Sequence, residues 1–232
     1  MNSMTIDGTD IGDYGLTLLR VPKVTKPQRR VRRIMIPGRS GSLTEWDGDY
    51  ESYIKSPQFF FDGSGSAYDL SDTMDFLRSA SLVTFDNEPD YAYSVRADEI
   101  IVPEMIQTDL YLITVNYETQ PLKRLATELV YEDLMSYNLT NIGNEPAEPK
   151  LVVTGAGEQT VTVGTDTITI TFAASGETIT IDSLNGQIYD GDGNNAWSQV
   201  NGDLPVLPVS TTPVTISTTG SALTVYPNWR WS

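Results

Sequence analysis

Beyond Asn138 the chain falls into short β-branched runs with apolar residues at alternating positions, and this limits its fold more than any other feature. The runs are Leu151-Val152-Val153, 160–163, 168–172, 179–181, 214–216 and 223–225. Alternation turns the apolar side chains to one face of an extended strand, and Val, Ile and Thr suit the pleated, half-buried setting of a sheet. The pattern predicts an antiparallel β-sandwich. Gly155, Gly157, Gly164, Gly176, Gly186 and Gly220, with Asn185 and Asn201, supply turns between the strands. Pro146 and Pro149 stand at the change of texture, so two domains are expected, 1–138 and 139–232.

The first part reads as mainly β with one or two short helices. Tyr91, Tyr93 and Val95 alternate, as do Tyr111, Ile113, Val115 and Tyr117, and Phe59-Phe60-Phe61 form an apolar run. Leu70, Met74 and Leu77 recur at helical spacing after the turn-like Asp62-Gly63-Ser64-Gly65, which predicts a helix over 69–79. Leu122, Leu125, Ala126 and Leu129 also fit a helical face, while Thr127, Val130 and the run 117–121 suit a strand, so both readings stand. No repeat of 20–50 residues is present.

The chain has 232 residues, with no cysteine and no histidine. That removes disulfides, thiolate nucleophiles, imidazole bases and the nitrogen and sulfur ligands of zinc sites. At this length two β domains can each bury a core without staples. Residues 1–12 lack the basic and apolar regions of a signal peptide, and no run of apolar residues is long enough to span a membrane. A soluble protein made in a cytoplasm, with no membrane partner, is expected.

Charge is unevenly spread. The net value is −16, which argues against tight binding of duplex nucleic acid. Yet no acidic residue lies between Asp13 and Glu45, a stretch holding Arg20, Lys23, Lys26, Arg29, Arg30, Arg32, Arg33 and Arg39, eight of the fifteen basic residues. From Leu151 onward Arg230 is the one basic residue, against seven acidic ones. Taken as a strand, Arg30, Arg32, Ile34 and Ile36 point to one face and Arg29, Val31, Arg33 and Met35 to the other. Arginine on both faces suits an edge or arm, either solvated or met by acidic groups of an identical neighbour. Arg29, Arg30, Arg32, Arg33 and Arg39 are therefore the candidate subunit-interface residues.

Other motifs carry less. Asp190-Gly191-Asp192-Gly193-Asn194-Asn195 opens like a calcium loop, but Asn195 and Asn201 stand where an EF-hand needs glycine and glutamate. A tight turn is the better reading. Gly155-Ala156-Gly157 lacks the rest of a dinucleotide fingerprint, and no phosphate loop is present. Abundant carboxylates make any glycosidase-like pair uninformative. Trp197, Trp229, Trp231 and Tyr226 would serve either as a sugar-stacking surface or as core and interface residues. No cofactor, metal or catalytic residue is assigned.

In order along the chain, several segments resemble the distal tail (Dit) protein family of long-tailed bacteriophages. Ile36-Pro37-Gly38-Arg39-Ser40-Gly41 followed by Tyr50-Glu51 is similar to the family's N-terminal signature, with serine where aspartate or asparagine is usual. The segment 82–86 and Pro89-Asp90-Tyr91-Ala92-Tyr93-Ser94-Val95-Arg96 resemble its post-helix and tyrosine-rich strands. Asn141-Ile142-Gly143-Asn144 with Pro149 and Gly155, the hairpin 181–189, and the ending Pro227-Asn228-Trp229-Arg230 resemble its C-terminal domain. Pro208-Val209-Ser210-Thr211-Thr212 departs from the family's usual Pro-Gly-x-Asn turn.

The resemblance implies an N-terminal domain that builds a homo-hexameric ring and a C-terminal galectin-like β-sandwich, in the short form without an inserted carbohydrate-binding module. It implies a structural protein of the virion tail tip, joining the tail tube protein to tail-tip or tail-associated proteins and receptor-binding proteins. DNA would pass through the ring without tight binding. The alternatives are a carbohydrate-binding adsorption module and, more remotely, a wall-degrading hydrolase.

Overall fold

The computed structural model describes residues 3–64, 66–98, 100–133, 135–217 and 221–232, the side chain of Asp47 excepted. Gly65 and Gly220, both expected in turns, lie outside the described residues. The chain divides into two compact units, 1–126 with Ser232, and 127–231. The strand Ser136–Thr140, which spans the change of texture, pairs with Thr211–Ile216 and belongs to the second unit.

In the first unit one antiparallel sheet runs in the order Thr9–Asp10, Met4–Ile6, Leu82–Phe85, Tyr91–Ala97, Tyr117–Thr119, Tyr53–Lys55. A second runs Glu104–Gln107, Leu110–Thr114, Gln58–Asp62, Leu16–Arg20. Alternate residues of both are covered: Met4, Ile6, Leu16, Leu18, Phe59, Phe61, Val83, Phe85, Tyr93 and Ile113 share one apolar core. Each fully covered Phe or Leu contributes roughly 1.5–3 kcal/mol.

The expected helix forms as Leu70–Arg78, capped where the sequence placed its ends. The Asp69 carboxylate accepts from the Asp72 backbone N–H at 2.8 Å, satisfying one of the donors that a helix start leaves open. Leu77 is fully buried beneath the helix, and the buried Tyr117 hydroxyl donates to the Leu77 carbonyl at 2.9 Å, tying the helix to the sheet.

One expectation changes and one open reading is settled. The alternating run 111–117 is not one strand. Leu110–Thr114 lies in the second sheet and Tyr117–Thr119 in the first. The chain crosses between them at Val115 and Asn116, where Asn116 Oδ1 accepts from the Ser56 hydroxyl at 2.7 Å. The alternation persists because both sheets line the same core, so Ile113, Val115 and Tyr117 are all buried. The segment 122–129 forms no helix. Lys123–Leu125 pairs with Ala92 and Tyr91 instead, and the Ala126 N–H donates to the Asp90 carbonyl at 2.9 Å. A strand edge supplied the backbone partners that a short, uncapped helix would have lacked.

The second unit is an antiparallel sandwich. A five-stranded sheet runs Ser136–Thr140, Thr211–Ile216, Glu158–Val163, Asp166–Thr171, Val200–Asn201. A four-stranded sheet runs Gln187–Asp190, Glu177–Asp182, Lys150–Gly155, Ala222–Tyr226. Leu151, Val153, Ile179, Ile181, Leu223 and Val225 of one and Val161, Ile168, Ile170 and Val214 of the other are buried. Gly157, Gly164, Gly176 and Gly186 take positive φ in turns, as their residue type allows. Gly155 and Asn201 are strand residues instead. At Gly155 a Cβ would meet the Phe172 ring at 2.9 Å, so bareness rather than turning is what that site needs.

The motif Asn141-Ile142-Gly143-Asn144 closes this unit. The Asn141 amide Nδ2 lies within hydrogen-bond reach of the carbonyls of Glu145, Leu207 and Pro208, at 3.1, 3.3 and 3.2 Å, and its Oδ1 accepts from the Gly143 N–H at 2.8 Å. Gly143 lies flat against the chain end, where a Cβ would stand 2.3 Å from the Arg230 carbonyl oxygen. Gly143→Ala is therefore expected to destabilise the second unit by about 1–3 kcal/mol, the range for an overpacked site. Ile142→Ala, at a residue 53% exposed, should stay within ~0.5 kcal/mol of wild type. Differential scanning calorimetry of both variants checks the contrast.

Candidate functional site

The basic stretch folds as a hairpin arm in the first unit. Arg29–Met35 pairs antiparallel with Ser42–Tyr50 in a sheet of their own. The turn is built by its residues: the Arg39 N–H donates to the Ile36 carbonyl at 3.2 Å, and Gly38 has φ +82°. Proline second and left-handed glycine third are the requirements of a type II turn. At the other end the partner strand bulges between the pairs Val31–Trp46 and Arg29–Tyr50. Gly48, at φ +96°, permits this, and the Trp46 indole N–H donates to the Asp49 carbonyl at 3.1 Å.

All five candidate arginines lie on this hairpin and are exposed. The Arg29 guanidinium lies over the Trp46 ring, 4.1 Å from its centre, a favourable cation–π placement. Arg30 approaches the Asp49 carboxylate at 4.0 Å. Arg32 stands opposite Glu45 and Arg33 opposite Thr44, while Arg39 lies in the turn. Opposed residues share a face, so Val31, Arg33 and Met35 lie with Trp46, Thr44 and Ser42, and Arg32 and Ile34 with Glu45 and Leu43. The alternation expected from sequence holds to Met35; Ile36 has already entered the turn.

One feature was missed. The arm's second strand carries Glu45, Asp47 and Asp49, so the first acidic residues after the basic stretch sit beside it within the same hairpin. The sequence signal was present in the two halves flanking Pro37-Gly38. Each exposed pair contributes little, about 0–1 kcal/mol. Towards the turn the hairpin becomes apolar, with Met35 86% exposed and Ile36 and Leu43 also exposed.

A second group of charges is internal. Lys55 is 3% exposed, with its Nζ 4.2 Å from the centre of the Tyr93 ring and donating to the Lys23 carbonyl at 3.3 Å. Glu88 accepts from Lys123 Nζ at 2.5 Å and from the Tyr93 hydroxyl, and Lys123 in turn lies 4.1 Å from the Tyr91 ring centre. Burial works to raise the Glu88 pKa, but hydrogen bonds from Lys123 and Tyr93 and the charges of Lys123 and Lys55 outweigh it and hold the carboxyl below its ordinary value. Burial lowers the Lys55 pKa despite the opposing pull of Glu88. Tyr53 is pushed up to about 12, by burial first and then by Glu88. The group is an internally compensated charge cluster that joins strands.

In the second unit the aromatics separate. Trp229 is buried, whereas Trp197 is 44% exposed. With Gln187, Tyr189, Gly193 and Asn195, Trp197 lines a hollow of about 430 Å³. The aspartate-rich loop beside it closes on itself: Asp190 Oδ1 accepts from the Asp192 and Asn194 N–H groups at 2.9 and 2.8 Å, and these bonds, Asn194 first, hold the Asp190 carboxyl low. That is the tight turn read from the sequence. Among the described residues no group of three or more Asp or Glu could hold a metal ion.

Because the folded Glu88 pKa is lowered, its contribution is complete above the unfolded value of 4.5 and disappears as pH falls through the folded value. Glu88→Gln is expected to cost about 2 kcal/mol at neutral pH. The gap to wild type should close below pH 4.5, in urea melts followed by tyrosine near-ultraviolet dichroism. A gap that stays constant into acid would mean that the carboxylate charge contributes nothing.

No protein-family model and no curated protein matches this sequence. Among solved structures, SPP1 Dit (gp 19.1), described as a paradigm of the hub adsorption apparatus in phages that infect Gram-positive bacteria, is similar, with a TM-score of 0.68 at 17% identity. The alignment covers 97% of this chain and 98% of that one. The chain thus has the Dit fold along nearly its whole length.

Proposed function

We propose that this chain is a structural protein of a bacteriophage tail tip, a Dit-type hub whose function is geometric rather than catalytic. The observation that carries the reading is the agreement in fold with SPP1 Dit over 97% of the chain. In this reading the first unit builds a homo-hexameric ring by head-to-tail contacts, and the second is a galectin-like sandwich. The ring joins the tail tube protein to tail-tip, tail-associated or receptor-binding proteins. It lines a channel for DNA, whose wall repels phosphate through carboxylates. The protein is made in the host cytoplasm and resides in the virion tail tip. No residue is assigned a catalytic role.

The arm supplies the contact between subunits. Arg29, Arg30, Arg32, Arg33 and Arg39 meet carboxylates of the neighbouring copy, since a chain of net charge −16 that gathers half its basic residues in one stretch carries the complement of its own remaining surface. Replacing the first four by glutamate is expected to abolish self-association, and replacing them by lysine to weaken it, because lysine lacks the bidentate fork. Both units should still fold, since the hairpin forms a sheet apart from either core. Light scattering and native mass spectrometry over a salt series check this, beside a DNA-retardation assay expected to show no tight binding. A dominant symmetric dimer, or an oligomer unchanged by the glutamate substitutions, would overturn the arrangement.

A second reading rests on the Trp197 hollow. The half-exposed indole of Trp197 lines this hollow together with Tyr189, Gln187 and Asn195, a set of aromatic and amide groups suited to a pyranose ring. A glycan array with the whole protein should then show binding that Trp197→Ala removes. Absence of binding leaves the hub reading alone.

A further inference from the structure

The first unit carries a second exposed surface that neither the core nor the arm explains. In the hairpin formed by Glu104–Gln107 and Leu110–Thr114 and the segment leading into it, Ile100 is 79% exposed, Val102 73%, Met105 63% and Ile106 60%. The strand Glu104–Gln107 is the edge of its sheet, and all four of its residues are exposed. Scattered exposed aliphatics are ordinary, but four within seven residues, two on an edge strand and two in the segment entering it, are a grouping that proteins normally cover.

The chemistry around the patch indicates what covers it. Residues 98–109 contain Asp98, Glu99, Glu104 and Asp109 and no basic residue; Asp98, Glu104 and Asp109 are exposed. The segment therefore combines exposed aliphatic side chains with exposed acidic ones. The arm is its converse: Met35, Ile36 and Leu43 exposed at one end, and five arginines against three carboxylates along the hairpin. Two mutually complementary, different surfaces on one chain make a head-to-tail contact, in which every copy gives one and receives the other.

We propose that the hairpin surface around Ile100, Val102, Met105 and Ile106 is the acceptor for the arm of a second copy of this chain. This rests on the ring reading and names its missing half. The aliphatic end of the arm covers the aliphatic patch, the arginines meet Asp98, Glu104 and Asp109, and the free strand edge offers main-chain groups to the incoming strand.

The absence of cysteine makes a clean test. Full-length Met35→Cys protein is mixed with full-length Val102→Cys, Met105→Cys or Ile106→Cys protein under mild oxidation. At least one mixture is expected to yield a mixed covalent dimer that neither partner forms alone and that high salt suppresses. Separately, the combined change Asp98→Arg, Glu104→Arg and Asp109→Arg should abolish the oligomer, and adding the four arginine-to-glutamate changes to the same chain should restore it. Circular dichroism confirms folding; the cysteine changes sit at exposed positions and test the contact even where the charge variants fail to fold. If wild type assembles but no mixture cross-links and the charge reversal leaves the oligomer intact, the acceptor assignment is wrong and the ring reading stands. If wild type stays monomeric in native mass spectrometry at every concentration, both fall together. Cross-linking of Met35→Cys protein to a different tail protein in place of its own copy would also overturn the proposal.

Discussion

Most strands of the two units carry a covered face, and the need to cover it shapes the rest. Antiparallel strands with apolar residues at alternate positions cannot exist singly in water, so each unit sets two sheets against one core. In the first unit the constraint is strong enough to make one alternating run, 110–119, serve both sheets in succession. In the second it draws Leu151, Val153, Val161 and Ile168 inward while their threonine neighbours form the outer ladders. At the end of the arm and at the edge strand Glu104–Gln107 aliphatic side chains stay exposed.

Charge follows the same division. The internal cluster of Lys55, Glu88, Lys123 and their tyrosines is compensated within the unit, each charge met by an opposite one, a carbonyl or an aromatic face. The arm is only partly compensated: Asp49 meets Arg30 and Glu45 faces Arg32, but arginines remain in excess. Low dielectric makes an unbalanced internal charge costly, whereas an excess at the surface costs little and stays available to a partner.

Much of the fold was legible in the sequence because its signals are local. The period-two runs of the second unit, the helix with Asp69 and Ser79 at its ends and the Asp190 turn all depend on a few neighbouring residues, and all formed where expected. The face assignment along Arg29–Met35 followed from strand geometry alone. Even the acidic strand that answers the arginines was readable, as the first carboxylates beyond the turn.

What only tertiary structure decided was partnership between distant segments. Whether 122–129 became helix or strand depended on the strand edge open to pairing at Tyr91 and Ala92, which no local pattern reveals. Gly155 and Gly143 looked like turn and motif glycines, yet their bareness answers to Phe172 and Arg230, brought against them by the fold. Nothing local in the segment 100–106 marks its aliphatic residues as exposed. The strand it enters is the last in its sheet. Sequence by itself determined most of the strands and turns and the separation of charge, since those arise from propensity and periodicity within a few residues. Which faces were covered and which were left open depended on the order of strands in the sheets, because burial is settled by neighbours far along the chain.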